Sequence, residues 1–442
     1  MTWRRRLIFT VIASLAPGLA MAQAPAQNEK SCPTIIPPTM VNGKPAAVAG
    51  GNAFQPAPCE VEGLPIEVRP PELATDKPAF PGQTRAPYHK SKTSFKVSVV
   101  TDKLNLPWSL QFLPDGKMLV TEKPGTMRIV SQDGTVSDPL KGVPESSYSG
   151  DAGLLDVALD PDFASNHVIY FNYIRPMPGD LTRMALSKAT LDEAGLALND
   201  LRVIFQANEE RPKLPANNQN GRIVFAKDGT LFMSFGGRGE LPKDSAQNPL
   251  SDLGKIVHIT KEGAPVKTNP FYGKSGYLPE IYSIGHRTPE GIAFDAKGQL
   301  WETEHGPRGG DELNLIKPGA NYGWPLVVHG KNYNGELFYG GQTGLPNVVE
   351  ARYYWDPVIA PGSLTFYHGK MFPEWEGNAF VAGLRAKFLT RLTIKDNKVV
   401  SEEPLLADMN TRIRDMHVAP DGSLYVLTDE PTNGKILRIS AN

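Results

Sequence analysis

The sequence predicts an all-β protein, a six-bladed β-propeller preceded by a Pro-rich N-terminal extension. Two observations carry that expectation. The first is punctuation: 42 Gly and 40 Pro among 442 residues, with 21% charged residues. Such usage suits many strands joined by tight turns and argues against a helical bundle. The second is a recurring unit: an apolar strand, a turn centred on Asp-Gly or its equivalent, then a second apolar or aromatic strand. It reads LPWSLQFLPDGKMLVTE, GLLDVALDPDFASNHVIYFNYI, GRIVFAKDGTLFMSFGG, GIAFDAKGQLWETE, GSLTFYHGKMFPEWEGNAFVAG and IRDMHVAPDGSLYVLTDE.

Asp-Gly turns are hairpin signals because both central residues tolerate positive φ. Each copy is followed by a further strand-like run, at 126–130, 184–191, 254–260, 313–316, 389–394 and 436–439. One such unit cannot bury both faces alone, whereas a ring of six can. A β-sandwich would need shorter connections and no such repeat.

Residues 1–22 read as a secretory signal. Arg4, Arg5 and Arg6 form the positive region, an apolar run follows, and Ala20-Met21-Ala22 is a small-residue cleavage site before Gln23. That run is short for a bilayer span, and no later stretch is long and apolar enough for one. The expectation is a periplasmic or secreted protein with no membrane span. Residues 23–93 form a Pro/Ala-rich extension without sustained periodicity, and the propeller occupies 94–442, its alternating pattern starting at Phe95. Cys32 and Cys59, the only cysteines, pair most simply with each other in an oxidising compartment, the alternative being two free thiols. Neither lies in a C-x-x-C-H sequence, so a c-type haem is excluded. A net charge of −1 favours neither nucleic acid nor an anionic membrane as partner.

The longest insertions follow the second, third and fourth copies and hold residues 218–222, 244–253 and 284–325. In the last of these, Arg287, His305, Arg308, Asp311, Glu312 and Tyr322 crowd into a few dozen residues. Loops hung on a rigid strand scaffold commonly carry function, and this set suits an anion and a hard cation. The bland alternative is glycine-rich turns with solvated charges.

The pieces GLLDVALDPDF, AQNPLSDLGKIVHIT, IYSIGHRTPEG, EHGPRGGDELNLI, ANYGWPL, DPVIAPGS, TRIRD and PDGSLYVLTDE occur in that order. On these motifs the chain from Leu104 onward resembles the pyrroloquinoline quinone (PQQ)-dependent sugar dehydrogenases, the soluble glucose and periplasmic aldose sugar dehydrogenases. The resemblance implies oxidation of an aldose at its anomeric carbon to a lactone, with PQQ as hydride acceptor, calcium assistance and an external electron acceptor. PQQ's carboxylates call for arginine or lysine forks, calcium for hard oxygen ligands, and the sugar hydroxyl for a base. By this likeness Arg287, Arg412 and Arg414 face PQQ, with Tyr333 a further contact. Asp151, Thr288 and Arg385 occupy other cofactor-side positions. Glu312 and Tyr322 match calcium-associated positions, the latter through its backbone carbonyl. Gly306 and Pro307 match a loop whose carbonyls hold calcium in the glucose enzymes.

The chain departs from the family at the base. The motif H-x-x-G-R appears as Asn218-Gln219-Asn220-Gly221-Arg222, and an amide has no useful basicity near neutral pH. The acidic residue that orients the family's histidine falls in Phe235-Gly236-Gly237-Arg238, so restoring both would take Asn218→His with Gly237→Asp. His305 is the candidate substitute base, although the aldose enzymes carry a histidine there beside the usual one. Asp151 and Glu290 replace glutamines of the family motifs, Thr288 an asparagine and Arg385 a lysine. The added carboxylates would repel PQQ unless paired. The alternative reading is a non-catalytic propeller that binds a sugar, quinone or protein in the inherited cleft. A calcium-dependent lactonase using Asp151, Asn218, Glu290 and Glu312 has no motif support, and the absence of G-x-S-x-G disfavours a Ser-His-Asp hydrolase.

Overall fold

The computed structural model describes residues 32, 40–41, 44–45, 57–208, 210–212, 220–237 and 244–442. The signal segment and Asn218 lie outside the described residues. Six antiparallel sheets form the blades. Blade 1 is Pro107–Phe112, Met118–Glu122 and Thr126–Val130; blade 2 is Leu154–Leu159, Val168–Met177, Leu181–Asp192 and Ala197–Gln206. Blade 3 is Ile223–Phe225, Leu231–Phe235, Lys255–Ile259 and Ile281–Ile284; blade 4 is Pro289–Phe294, Leu300–Glu304, Asp311–Leu315 and Tyr353–Trp355. Blade 5 is Pro361–Phe366, Ala379–Gly383, Leu389–Lys395 and Lys398–Leu405. Blade 6 is Ile413–Val418, Leu424–Thr428 and Gly434–Ala441, and takes its outer strand, Phe95–Leu104, from the other end of the chain. That pairing closes the ring, so the propeller needs both ends of its sequence.

The Asp-Gly turns form as their chemistry requires. The carboxylates of Asp115, Asp228 and Asp421 accept the N–H two residues on, at 3.0, 3.0 and 2.9 Å. The glycine after each sits at φ 83°, 82° and 85°, a region open to glycine without steric cost. Along each second strand, alternation splits the side chains between two neighbours. Met118 and Val120 enter the apolar seam with blade 6, and Leu119 the seam with blade 2. Such a cluster fills every blade–blade seam, which is why these strands are buried on both faces.

At the channel axis Arg222 touches all the other blades. Its guanidinium stands 4.0 Å from the Trp108 ring of blade 1 and pairs with Asp156 of blade 2 (3.4 Å) and Asp415 of blade 6 (3.1 Å). It also donates to the carbonyls of Glu290 (2.7 Å) in blade 4 and Gly362 (2.6 Å) in blade 5. A planar, multiply donating cation suits such a hub, because each buried carboxylate needs a charged partner.

The extension from residue 57 packs against blades 4 and 5. The Tyr353 hydroxyl accepts the Ala86 N–H (2.8 Å), Glu402 N–H donates to Pro87 (3.1 Å), and Arg85 donates to the carbonyls of Glu67, Arg69 and Asp356. These contacts cover outer strands whose edges would otherwise stand open. Cys32 and Cys59 are joined as expected, their Cα atoms 4.8 Å apart. Among the described residues no helix is long and apolar enough to cross a membrane.

Candidate active site at one channel mouth

Hairpin register puts the start of each inner strand beside the end of the second. Pro289 faces Glu304, Pro361 faces Gly383, and Ile413 faces Thr428. Residues just outside these pairs therefore gather at one mouth of the channel: Arg287, Thr288, His305, Arg385, Arg412 and Asp429. A pocket of about 250 Å³ there is lined by Arg287, Glu304, His305, Gly306, Pro307, Gly310, Glu312, Tyr322, Trp324, Val327 and Val328.

Each wall of the pocket is held by specific contacts. Arg287 lies 5.1 Å from the Trp324 ring and donates to the His305 carbonyl at 2.9 Å. Gly306 N–H donates to Asp311 (2.8 Å), whose other oxygen accepts the N–H groups of Ile359 and Ala360 at 2.7 and 2.6 Å. A Cβ at Gly306 would come within 2.3 Å of the Gly309 and Gly310 backbone, so only glycine fits this loop. The Tyr322 hydroxyl donates to Leu315 and accepts from Lys317, leaving its backbone rather than its phenol to offer a ligand. Half-buried Glu312 is pushed above the ordinary carboxylate range by desolvation and then by Glu304. Burial and Glu304 raise Glu302 well above the carboxylate range.

His305 carries a constraint that the sequence did not show. Its Nε2 lies 2.8 Å from the Pro361 carbonyl, which can only accept, so the proton resides on Nε2 and only Nδ1 can act as a base. The Thr288 carbonyl accepts the His305 N–H at 3.0 Å, and its buried hydroxyl has no hydrogen-bond partner among the described residues. Tyr333 is 58% exposed and does not line the pocket. Arg385 is half-buried, anchored through its N–H to Ile359.

Beside the pocket lies a charge cluster whose motifs reveal only some of its members. Arg412 clamps Asp429 at 2.6 and 2.8 Å, and fully buried Arg414 reaches Asp429 (3.2 Å) and Glu290 (3.4 Å). Asp429 stays below the ordinary carboxylate range because Arg414 and then Arg412 outweigh its burial. Glu290 also accepts from Asn220, so the added carboxylate is paired. Asp151 and Lys123 belong to the same field. Lys123 is itself lowered by burial and by Arg414. Of these groups, Lys123, Asp429 and Asn220 were not singled out from sequence. The Asp of TDE, at the end of the last second strand, was the readable signal.

Burial pushes Glu290 up to about 7, Asp151 adding to the rise and Arg414 opposing it. A carboxyl raised in the folded state contributes stability present below about pH 4.5 and lost as pH rises through about 7. Glu290→Gln lacks that slope. Its melting temperature relative to wild type is expected to rise between pH 4.5 and 7 and then level off. A pH-independent difference in paired thermal melts would contradict the assignment.

Two structural facts bear on the missing base. Asn218 itself lies outside the described residues. At Gly237 an added Cβ would meet backbone: the Gly254 Cα at 2.5 Å, and the Gly254 N and His286 O at 2.8 Å. Restoring an orienting carboxylate through Gly237→Asp required backbone that tolerates a side chain, and the close approach of Gly254 and His286 leaves no room for one.

A family model described as Glucose / Sorbosone dehydrogenase matches residues 104–438. The aldose sugar dehydrogenase YliI of Escherichia coli K12 is 37% identical over 348 residues, 78% of this chain and 92% of that one. Quinoprotein glucose dehydrogenase B of Acinetobacter calcoaceticus is 26% identical over 436 residues, 81% of this chain and 90% of that one. The crystal structure of the apo-form of the E. coli aldose sugar dehydrogenase matches with a TM-score of 0.74 and 36% identity, over 79% of this chain and 100% of that one. The PQQ-bound aldose sugar dehydrogenase of Streptomyces coelicolor matches with a TM-score of 0.63 and 29% identity, over 79% and 98%.

Proposed function

The chain belongs to the glucose/sorbosone dehydrogenase family, and from that premise we propose that it is an exported, PQQ- and calcium-dependent aldose dehydrogenase whose usual base is replaced by Asn218. The observation that carries the reading is the pocket where Arg287, His305, Gly306, Pro307, Glu312 and Tyr322 meet beside the Arg412–Arg414 cluster. Bound there, PQQ would accept hydride from the sugar's anomeric carbon, with calcium polarising the quinone, and the product would be a lactone.

The chain's own residues supply binding and orientation. Arg287, steadied against Trp324, and Arg412, whose side chain is 42% exposed, offer donors to carboxylates. Fully buried Arg414 orients Asp429 and Glu290. Glu312, the Gly306-Pro307 loop and the Tyr322 backbone supply hard oxygen to calcium. The raised Glu312 fits that role, since a desolvated carboxylate beside another ionises more readily with a cation at hand. His305 Nδ1 is the imidazole nitrogen that could take up a proton. The joined cysteines support export to an oxidising compartment such as the periplasm.

Asn218 and the packed Gly237 favour a second reading, a propeller that binds sugar or quinone without turnover. Dye reduction by purified protein, given PQQ and Ca²⁺ singly and together with a panel of aldoses, separates the two. Sugar-dependent reduction that requires both additions is expected. PQQ binding without reduction by any aldose would favour the non-catalytic reading.

A further inference from the structure

Blade 4 presents an unusual square of polar groups on one face of its two middle strands. Cross-strand register sets Glu302 opposite Asn314 and Glu304 opposite Glu312, and like charges directly opposite are destabilising unless compensated. Among the described residues the Asn314 amide is their only common donor, reaching Glu302, Glu304 and Glu312 at 3.1, 3.2 and 3.1 Å. Two amide hydrogens cannot serve three carboxylates fully.

His286, wholly buried at the seam with blade 3, completes the cluster. Its Nε2 shares a hydrogen bond of 2.8 Å with Ser283 Oγ. With the proton on that nitrogen, the Nδ1 lone pair faces the carboxylates. Nδ1 stands 3.6 Å from Glu304 Oε1 and 3.9 Å from Glu302 Oε2, too far for a hydrogen bond. Such separations suit donors that share one ion at about 2.0–2.2 Å each. Among the described residues His286 Nδ1, Glu302 Oε1 and Asn314 Oδ1 are all buried without a hydrogen-bond partner, an accumulation of acceptors that a shared cation would relieve.

We propose that His286, Glu302 and Glu304 bind a divalent first-row metal ion, Zn²⁺ or Mn²⁺, at the seam of blades 3 and 4. The donor atoms all lie within 4.8 Å of one another. One imidazole with two carboxylates favours such ions over calcium, which prefers oxygen alone. Ser283 holds the imidazole from behind, as metal-bound histidines require. Asn314, turned about its amide, offers its oxygen as a fourth ligand. None of the three ligands belongs to the calcium set of Glu312, Tyr322, Gly306 and Pro307. His286 and Glu304 directly precede Arg287 and His305 in the chain, so the ion would fix the pocket wall on both sides.

The test is metal retention, which does not depend on sugar oxidation. Untagged protein is stripped with chelator, exposed separately to Zn²⁺, Mn²⁺ and Ca²⁺, desalted, and analysed by mass spectrometry for metal content and by thermal melting. Wild type is expected to retain one equivalent of Zn²⁺ or Mn²⁺ and to melt higher with it. Glu302→Gln, which keeps the side-chain shape, and Glu302→Leu should fold without metal but retain none. Glu312→Gln should still retain the equivalent. Wild type that retains no Zn²⁺ or Mn²⁺, or a Glu302→Gln protein that retains as much as wild type, would overturn the proposal while leaving the sugar-oxidation reading untouched.

Discussion

Arg222→Ala is expected to destabilise the protein by about 3–5 kcal/mol, the usual cost of stranding buried charges by removing their partner. The guanidinium neutralises Asp156 and Asp415 and donates to blades 4 and 5 from the channel axis. Asp415 keeps His417 at 2.8 Å, but no other described cation lies within ion-pair distance of Asp156. Arg412→Ala is the control. Its side chain is 42% exposed, and Arg414 remains to pair Asp429, so a loss of roughly 0–1 kcal/mol is expected. Chemical denaturation of both variants checks the contrast. An Arg222→Ala midpoint close to that of Arg412→Ala would show that the hub does not hold the ring together.

Asn218→His is expected to raise the rate of aldose oxidation by part of the 10²–10⁴-fold that a general base typically contributes. Only part is expected, because Gly237 cannot carry a carboxylate to orient the new ring without displacing the backbone of Gly254 and His286. The variant's kcat/KM should also gain a rising limb near the ordinary imidazole range, around pH 6.5. Fast wild-type turnover that Asn218→His leaves unchanged or lowers would place proton removal elsewhere, with His305 Nδ1 the next group to test.

The propeller was legible because its signals are local. Asp115-Gly116, Asp228-Gly229 and Asp421-Gly422 announce their hairpins, and the alternation around Met118 and Leu119 matches a strand sandwiched between blades. Closure was less legible. The Phe95–Leu104 strand was visible as alternation, but its pairing with Gly434–Ala441 joins opposite ends of the sequence, and no local pattern encodes that. At the site, motifs drew attention to Arg287, Glu312 and Arg412, whereas the counter-charges Asp429 and Lys123 and the cluster around His286 arise only when blades meet. One signal for that cluster was available: in WETE, Glu302 and Glu304 are two apart on a strand and so share a face. Arg222 stood in a motif named for its histidine, and nothing in its spacing foretold six-blade contact.

On the proposed function, the mouth holding Arg287, Glu312 and Arg412 binds PQQ. Calorimetric titration of PQQ into the apo-protein in excess Ca²⁺ tests it most directly, whether or not Asn218 permits turnover. Saturable binding that weakens when calcium is withheld is expected. Arg412→Ala should weaken it by roughly 10- to 150-fold, the equivalent of a charge-assisted hydrogen bond of about 1.5–3 kcal/mol. A wild-type protein with no measurable PQQ affinity in excess Ca²⁺ would contradict it.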